Sequence, residues 1–371
     1  MNMFGFLNSS SDGDITKVSD LKEFDDHALI SFAEDKASGL QAVIAVHRAN
    51  PTVPSFGATR FWHYASDIEG VKDALRLSRL MSYKAALAGL NCGGAKGVII
   101  AEHDPNDVHD ATRAQLLEAY AARVNLLGGR FVTGTDVGVK QEDLDTMRKV
   151  SRHIIGFNDN STEFTAIGVF ESVKAALVET FGSSEFTGRS FAIQGLGKVG
   201  EGLLSLIYDP VSSSGTIFIS DIDPARVKVV KDKYPRVKVV SPEEIDRQEV
   251  DVFAPCALSG AVNHKNIDRL TVKIVVGGAN NQLESESLGD ALHTRKILYA
   301  PDYVVNAGGL IAIFDEYQNP SYDRARVAQA VQHIPDTLRK IFAESRAEDL
   351  APSRVANRMA ERIFNGYNHV S

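Results

Sequence analysis

The stretch FAIQGLGKVGEGL, residues 191–203, starts with apolar residues and then carries glycines at positions 195, 197 and 200. A strand, SFAIQ, is predicted before these glycines and a helix after them, which is the context that a dinucleotide-binding G-x-G-x-x-G turn requires. Asp221 ends the next predicted strand, 21 positions after Gly200. The stretch therefore predicts a unit that binds a dinucleotide, although a plain strand–helix turn would use the same glycines.

The glycines and the acidic residue have separate expected roles. Gly195 permits a tight turn, Gly197 lets the backbone approach a pyrophosphate at the helix N-terminus, and Gly200 lets the helix pack closely on the strand. Asp221 is expected to accept hydrogen bonds from the adenosine ribose hydroxyls and to repel a 2′-phosphate. This favours NAD over NADP, although Arg226, five residues further on, could meet such a phosphate.

Short apolar strands alternate with helices after about residue 165. TIFISD, VDVFAPC and KIVVGGA are typical of buried strands, and TAIGVFESVKAALVETFG and KVGEGLLSLIYD are typical of the helices that accompany them. This alternation predicts a parallel sheet with helices on both faces. The predicted fold class is therefore α/β, with a Rossmann-type doubly wound dinucleotide-binding domain over residues 156–345.

Residues 1–155 lack this alternation and are predicted to form a separate N-terminal α/β domain for substrate binding and catalysis. ALISFAED and LQAVIAVHR predict paired strands. DIEGVKDALRLSRLMSYKAALAG has apolar residues at helical spacing, and the strand GVIIA follows it. The C-terminal helices at about 346–371 are expected to complete this first domain, with a cleft between the two domains.

The composition limits the classes of function. The chain has 371 residues, of which 44% are hydrophobic and 24% charged, as expected for a globular protein of two domains. Its formal net charge of -8 argues against a general nucleic-acid or anionic-membrane binder. Cys92 and Cys256 belong to no metal-binding pattern, and neither a signal peptide nor an apolar run of the roughly 20 residues that span a bilayer is recognisable. We expect a cytoplasmic protein without a metal, a nucleic-acid partner or a membrane partner.

Two lysines, Lys84 and Lys96, lie twelve residues apart in LMSYKAALAGLNCGGAKGVII. Each lysine alone would ordinarily be a solvated surface charge. However, Lys84 stands in a helix segment dominated by apolar residues, and Lys96 is flanked by three glycines that are expected to leave room for a ligand: Gly93, Gly94 and Gly97. A partly buried lysine near another cation has a lowered pKa, so these lysines are candidates for general-base chemistry.

Asp136 is the third candidate. It stands at the end of the apolar strand predicted in GRFVTGTDVGV and is followed by Gly138. From this residue alone, a functional carboxylate and an N-cap or turn aspartate of the helix predicted in DVGVKQEDLD are equally good interpretations. The histidines lie outside the glycine-framed motifs, and none of the ten is assigned a role.

Six stretches occur along the chain in a fixed order: MSYKAALAGLNCGGAKGVII, GRFVTGTDVG, AIQGLGKVG, APCALSGAVN, GGANNQLE and YAPDYVVNAGGLI. Together they resemble the Glu/Leu/Phe/Val amino-acid dehydrogenase family, in particular its leucine/valine/phenylalanine (tryptophan) dehydrogenase branch. The resemblance runs from about residue 40 to residue 345. Six ordered motifs make it far more specific than the nucleotide fingerprint alone.

The resemblance implies NAD-dependent oxidative deamination of an apolar or aromatic L-amino acid to its 2-oxo acid and ammonia, and the reverse reductive amination, by a homo-oligomer (a dimer or an octamer). It implies that Lys84 binds the substrate α-carboxylate, that Lys96 is the base that activates water, and that Asp136 supports proton transfer to and from the amino group. The alternatives are a reductase of a related keto or imino substrate and a non-catalytic NAD-binding regulator. The presence of all three residues argues against the regulator.

The resemblance also implies the other site residues. The substrate would meet Asn280 and an apolar pocket formed by Phe56, Gly57, Met81, Gly134, Leu310 and Ile313. The cofactor-binding residues would be Thr165, Gly195, Gly197, Lys198, Val199, Gly200, Asp221, Ala257 and Asn280. The adjacent Asn281 is an alternative to Asn280. Leucine-type members tend to have alanine in place of Gly134, so this glycine favours phenylalanine or tryptophan as the substrate over leucine or valine.

Overall fold

The computed structural model describes residues 17–156, 161–257, 259–319 and 321–367. The chain forms two compact units: the described residues of the first fall within 17–86, 90–156 and 363–367, and those of the second within 87–89 and 161–362. The N-terminal segment on which the signal-peptide expectation rests lies outside the described residues. Within the described ranges, none of the helices combines the length and the apolarity needed to cross a membrane.

The first unit is built on a mixed five-stranded sheet. Its strands are β1 (Leu29–Asp35), β2 (Leu40–Val46), β3 (Ser55–His63), β4 (Ala95–Ala101) and β5 (Phe131–Thr135). Its helices are α1 (Asp67–Leu87), α2 (Asp110–Leu126) and α3 (Gln141–Arg148). The strand order is β1-β2-β4-β3-β5; the pairs β1–β2 and β2–β4 are antiparallel, and β3–β4 and β3–β5 are parallel. The predicted pairing of β1 with β2 is present, whereas no strand is predicted at β3.

The central strands of this sheet are buried on both faces. Ile99 of β4 belongs to the same apolar cluster as Tyr120 of α2, whereas the preceding Val98 packs in a second cluster with Leu75 of α1. Because successive strand side chains point to opposite faces, α1 and α2 cover opposite sides of the sheet. All seven residues of β4 are buried. The strand β4, which carries Lys96, is therefore enclosed between two helical layers.

The second unit is built on a six-stranded parallel sheet. Its strands are β6 (Ser190–Gln194), β7 (Thr216–Ser220), β8 (Lys238–Val239), β9 (Val250–Pro255), β10 (Val272–Val275) and β11 (Leu298–Tyr299). Its helices are α4 (Ser161–Phe181), α5 (Lys198–Ser212), α6 (Pro224–Lys233), α7 (Ser287–Thr294), α8 (Asp302–Val305), α9 (Gly308–Gln318), α10 (Arg324–Val331), α11 (His333–Glu348) and most of α12 (Pro352–Tyr367).

The strand order of the second sheet is β11-β10-β9-β6-β7-β8, and all of its neighbouring strands are parallel. The chain leaves β6 towards one edge of the sheet and, from β9 onward, builds the other edge. In open α/β sheets such a switch point, at the carboxyl ends of the strands, is where ligands bind. The prediction of a doubly wound α/β fold is confirmed.

The last helices depart from the predicted domain boundary. Residues 346–362 belong to the second unit, and only the residues from 363 onward belong to the first. The physical reason lies in α12: the Tyr303 hydroxyl of α8 donates a 2.6 Å hydrogen bond to Asn357 Oδ1, and it is only near the end of the helix that Phe364 packs on Tyr83, at 5.5 Å between ring centroids. The expectation that 346–371 complete the first domain is therefore wrong for residues 346–362. The catalytic and cofactor-binding roles of the two units stay predictions.

Candidate active site

Lys96 and Asp136 meet at the ends of two strands of the first sheet. Lys96 is the second residue of β4, and Asp136 directly follows the last residue of β5. After the aspartate, Gly138 adopts a φ of +81°, and the Phe61 N–H donates a 2.9 Å hydrogen bond to the carbonyl of Val137. This turn anchors the segment that carries Asp136. The Nζ atom of Lys96 lies 3.0 Å from Asp136 Oδ2, so the two residues predicted to be catalytic form a direct ion pair.

Arg60 belongs to the same site and was not predicted from the sequence. Its Nε donates a 2.9 Å hydrogen bond to Asp136 Oδ2, and its Nη1 donates a 2.8 Å hydrogen bond to Asp73 Oδ2. Asp73, on α1, also accepts hydrogen bonds from Tyr64 Oη at 2.7 Å and from Arg76 Nη2 at 2.5 Å. The one sequence signal for Arg60 is its place in FGATRF, the stretch that supplies an expected pocket glycine.

Lys96 is buried and Asp136 is half-buried, and this environment sets the protonation of both residues. Burial lowers the pKa of Lys96 below its ordinary value; the Asp136 carboxylate opposes this shift and the Arg60 guanidinium adds to it. Burial alone would raise the pKa of Asp136, but the charges of Lys96 and Arg60 outweigh it and hold that pKa below its usual range. The site thus combines an ionised carboxylate with a lysine that gives up its proton more readily than a solvated one.

Lys84 lies in the last turn of α1, where it is half-buried. Gly94, just before β4, packs directly on this helix, because a β-carbon added to it would lie 2.0 Å from the backbone nitrogen of Ser82. The N–H of Gly94 also donates a 3.0 Å hydrogen bond to Ser82 Oγ. The start of β4, which carries Lys96, is therefore fixed against the part of α1 that carries Lys84.

The glycines around Lys96 have a different purpose from the expected one. A β-carbon added to Gly93 would lie 1.7 Å from the carbonyl oxygen of Arg48, and one added to Gly97 would lie 1.9 Å from the hydroxyl of Tyr120. As at Gly94, protein atoms occupy the space beside the glycine. The expectation that these three glycines leave room for a ligand is wrong, because they leave room for the packing of β4.

Two of the expected pocket residues lie on neighbouring strands. Gly57 of β3 pairs with Thr133 of β5, and Gly134, the next residue of β5, pairs with Ala58. A β-carbon added to Gly134 would lie 3.0 Å from the carbonyl oxygen of Ile155, which is a tight contact rather than open space. The structure therefore gives no free volume on that side of Gly134, and the preference for phenylalanine or tryptophan stays a prediction.

The other expected pocket residues differ in exposure and in unit. Phe56 is only 1% exposed, whereas Met81, on α1, is half-buried. Leu310 and Ile313 belong to α9 of the second unit, where Leu310 is buried and Ile313 is half-buried. All four side chains are apolar, in agreement with an apolar substrate pocket. The pocket itself stays a prediction.

The glycine turn of the second unit has the close packing that its sequence predicts. Gly195 follows β6 with a φ of +91°, and its N–H donates a 2.8 Å hydrogen bond to the Ser220 carbonyl. A β-carbon added to Gly195 would lie 2.7 Å from that of Ala257, and one added to Gly200 would lie 1.9 Å from the carbonyl oxygen of Gly195. The turn and the helix after it can therefore be this compact only with glycine at both positions.

Gly197 differs from the other two glycines. It is the N-cap of α5, and a β-carbon added to it would meet no atom of the described residues within 4 Å. Lys198, the first residue of α5, is exposed. Val199 packs closely on Gly278, because a β-carbon added to that glycine would lie 2.4 Å from Val199 Cγ1. The start of α5 is therefore open beside Gly197, as the approach of a pyrophosphate to the helix amides requires.

Asp221 is held by the backbone around it. Its Oδ2 accepts a 2.7 Å hydrogen bond from the N–H of Leu196, and its Oδ1 accepts one of 2.9 Å from the N–H of Asp223. Arg226 Nη1 contacts both carboxylate oxygens at 3.2 Å. Burial alone would raise the pKa of Asp221, but these hydrogen bonds and the guanidinium lower it on balance. Asp221 is thus ionised and fixed beside the glycine turn, with Arg226 as its counter-ion.

The structure distinguishes the two neighbouring asparagines. Asn280 is exposed, and its Oδ1 accepts a 2.8 Å hydrogen bond from Nδ2 of Asn306, a residue that was not predicted. Asn281 adopts a left-handed backbone with a φ of +51°, and its carbonyl accepts a 2.8 Å hydrogen bond from the N–H of Gly260. The hydrogen bond from Asn306 therefore orients the side-chain amide of Asn280, whereas the backbone of Asn281 stabilises the loop.

Thr165 is the remaining residue expected to bind the cofactor, and it lies in the same unit as the glycine turn. The hydroxyl of Thr165 donates a 3.0 Å hydrogen bond to the Ser161 carbonyl and faces Gly309 of α9, where an added β-carbon would lie 2.9 Å from it. The open start of α5 offers amide groups to a pyrophosphate, and the ionised Asp221 offers acceptors to ribose hydroxyls. The residues at the carboxyl ends of the parallel strands therefore fit a dinucleotide cofactor.

Comparison with protein families gives two matches that together cover most of the chain. Residues 27–153 match the family described as Glu/Leu/Phe/Val dehydrogenase, dimerisation domain. Residues 156–363 match the family described as Glutamate/Leucine/Phenylalanine/Valine dehydrogenase. The boundary between the matches lies close to the boundary between the two compact units.

Several characterised proteins are similar over nearly their whole length. L-tryptophan dehydrogenase of Nostoc punctiforme is 40% identical, over 91% of this chain and 94% of that protein. Leucine dehydrogenase of Geobacillus stearothermophilus is 37% identical, over 91% and 90% of the two chains. Valine dehydrogenase of Streptomyces albus is 38% identical, over 91% and 92%.

Solved structures agree with these similarities. The crystal structure of L-tryptophan dehydrogenase from Nostoc punctiforme superposes with a TM-score of 0.78 at 37% identity, covering 92% of this chain and 97% of that one. A hetero-hexameric glutamate dehydrogenase from Thermus thermophilus superposes with a TM-score of 0.69 at 21% identity, covering 91% and 87%. The second comparison shows a common fold.

Proposed function

Because this chain belongs to the glutamate/leucine/phenylalanine/valine dehydrogenase family, and is therefore an amino-acid dehydrogenase that works with a nicotinamide cofactor, we propose that it catalyses the NAD-dependent oxidative deamination of an apolar or aromatic L-amino acid. The products are the 2-oxo acid and ammonia, and reductive amination is the reverse reaction. The observation that carries this proposal is the Lys96–Asp136 pair, in which the buried lysine proposed as the base lies 3.0 Å from an ionised carboxylate.

Three side chains share the chemistry. A nicotinamide cofactor held by the glycine turn and Asp221 would supply the acceptor for the α-hydrogen and its bonding electrons, which leave an amino acid whose amino group is unprotonated. Lys96, without its proton, takes a proton from the water that adds to the resulting iminium carbon. Asp136 then relays that proton from Lys96 to the departing amino nitrogen, while Lys84 holds the α-carboxylate in place. As the C–N bond breaks and ammonia leaves, Lys96 takes the remaining hydroxyl proton, so that the carbonyl of the 2-oxo acid forms. In the reverse direction the same groups return the proton.

A panel of L-amino acids with NAD tests the proposal, with formation of the reduced cofactor followed by absorbance. We expect turnover of phenylalanine, tryptophan, leucine and valine. Glutamate should have a kcat/KM at least about 100-fold lower, because an unpaired carboxylate in an apolar pocket costs several kcal/mol. A preference for glutamate would contradict the proposal. Cofactor binding without turnover of any amino acid would favour the regulator, and reduction of a keto substrate without incorporation of ammonia would favour the related reductase.

Lys84→Ala should raise the KM for the amino acid at least about tenfold with a smaller fall in kcat, because the carboxylate loses its anchor and the bound substrate is less well aligned. Steady-state kinetics at saturating NAD measure both constants. Lys72→Ala is the matched control, since Lys72 lies on the same helix and pairs with Glu69 at 3.2 Å. An unchanged KM in Lys84→Ala, or an equal rise in Lys72→Ala, would rule out the assignment.

The preference for NAD over NADP is proposed from the ionised Asp221. Asp221→Ser should lower the ratio of kcat/KM for NAD to that for NADP at least about tenfold, because it removes the charge that repels a 2′-phosphate and releases Arg226 to meet one. Asp223→Ser is the control: serine preserves the N-cap of α6, and Asp221 is untouched. Equal use of both cofactors by the wild type, or a ratio unchanged by Asp221→Ser, would refute the proposal.

We also propose a homo-oligomer, on the strength of the family description of residues 27–153 as a dimerisation domain. Sedimentation of the purified protein measures the number of copies, for which a dimer and an octamer are the expected values. Separately, we propose a cytoplasmic location.

A further inference from the structure

We propose that Arg60 is a positioning residue of this reaction: it aims the Asp136 carboxylate at Lys96 and supplies the positive charge that lets Lys96 work without its proton. The inference rests on the proposed function. Arg60 lies on β3 and has no expected role in substrate or cofactor binding. It acts through Asp136 rather than through contact with the reacting atoms.

The geometry of Arg60 is fixed at both ends of its guanidinium. Nε contacts Asp136 Oδ2 at 2.9 Å, and Nη1 contacts Asp73 Oδ2 at 2.8 Å. The side chain is 19% exposed. Because Asp73 is itself held by Tyr64 and α1, the guanidinium has little freedom to turn away. The carboxylate of Asp136 is therefore clamped from one side by Arg60 while Lys96 approaches the same oxygen at 3.0 Å.

Opposing charges act on the protonation of Lys96. The charged groups that act on Lys96 are Asp136 after β5, Arg60 of β3 and Asp73 of α1. Tyr64 and Arg76 contact Asp73, the Tyr120 hydroxyl of α2 lies beside the neighbouring Gly97, and Lys84 stands in the last turn of α1. Arg76, at the outer end of this network, is 43% exposed, so solvent screens its charge. The carboxylates of Asp136 and Asp73 favour a proton on Lys96, but that proton would place a positive charge in a buried position on the carboxylate that Arg60 also contacts. Such a charge is costly because burial removes its hydration.

Removal of the Arg60 charge should reverse this balance. Asp136 would then be left with Lys96 as its nearest cation, and the attraction between them would favour the protonated lysine. The pKa of Lys96 should rise, since Arg60 is one of the charges that lower it. The protonated lysine cannot accept a proton from water, so activity at neutral pH should fall and return as the pH is raised.

The test is the pH profile of kcat and kcat/KM for deamination by the wild type and three variants. In Arg60→Gln we expect the acidic limb to move up by about one pH unit or more. Its kcat near neutral pH should fall at least about tenfold, with little change in KM or in the Kd for NAD. Arg60→Lys retains the charge but not the two-pronged geometry, so its limb should lie between those of Arg60→Gln and the wild type.

Arg79→Gln is the matched control, because it removes the same charge from the same unit at a side chain that pairs with Asp25 instead. It should keep the wild-type profile. An Arg60→Gln enzyme with an unshifted limb, an equal loss of activity at every pH, or an equal shift in Arg79→Gln would overturn the positioning role while leaving the proposed function standing. A wild type that deaminates no amino acid would overturn the proposed function and this inference with it.

Discussion

Lys96→Ala should lower kcat for deamination at least about 100-fold while NAD still binds, because the substitution removes the group that takes the proton from water. The loss should appear in kcat rather than in the Kd for the cofactor, since the glycine turn and Asp221 belong to the other compact unit. Steady-state kinetics and a cofactor titration by fluorescence measure the two quantities separately. A small primary amine added to the assay should restore part of the lost rate by serving as the missing base.

The role of Lys96 as the base also predicts how the rate of deamination changes with pH. Burial holds the pKa of Lys96 below its ordinary value, and only the unprotonated lysine is active in deamination. The wild type should therefore be active above this lowered pKa and lose activity as the pH falls through it. The apparent pKa of the rate should lie below the roughly 10.4 of a solvated lysine. This limb should be missing in Lys96→Ala. Wild-type turnover by Lys96→Ala would end the assignment of Lys96 as the base.

Gly197→Ala is expected to raise the Kd for NAD at least about tenfold, because the new methyl occupies the place where the pyrophosphate approaches the helix amides. The same change should alter the free energy of unfolding by less than about 1 kcal/mol, since alanine for glycine at an N-cap is a small perturbation. The structure offers the reason: the added β-carbon meets no atom of the described residues within 4 Å. Calorimetric titration and urea unfolding measure the two effects.

Gly200→Ala provides the contrast within the same turn. Its β-carbon would lie 1.9 Å from the carbonyl oxygen of Gly195, so the helix and the turn must move apart. Both cofactor binding and stability should fall in this variant. If Gly197→Ala binds NAD as tightly as the wild type, the glycine turn is not the pyrophosphate site.

The second unit could be predicted from its sequence because its signals are local. The glycine fingerprint, the acidic residue after the next strand and the alternation of short apolar strands with helices all lie within a few tens of residues. The parallel six-stranded sheet follows from them. What these signals leave open is side-chain orientation, as at Asn280, whose amide is fixed by Asn306 from 26 residues away.

The first unit is less accessible to prediction because its site depends on distant contacts. β3 carries the mixed stretch SFGATRFWH, which does not alternate cleanly between apolar and polar residues, and it escapes a search for strands by periodicity. Arg60 reaches Asp136 across 76 positions of sequence. The glycines around Lys96 show a further limit, because a sequence does not tell space for a ligand from space for a neighbouring carbonyl or hydroxyl group.

Oxidative deamination is tested most directly by the balance of products from an α-deuterated apolar amino acid incubated with NAD. Phenylalanine is the first choice, or leucine if that is the better substrate. We predict one ammonia and one 2-oxo acid for each reduced cofactor formed, with the deuterium carried on the reduced cofactor. Reduced cofactor formed without ammonia, or ammonia released without reduced cofactor, would contradict it.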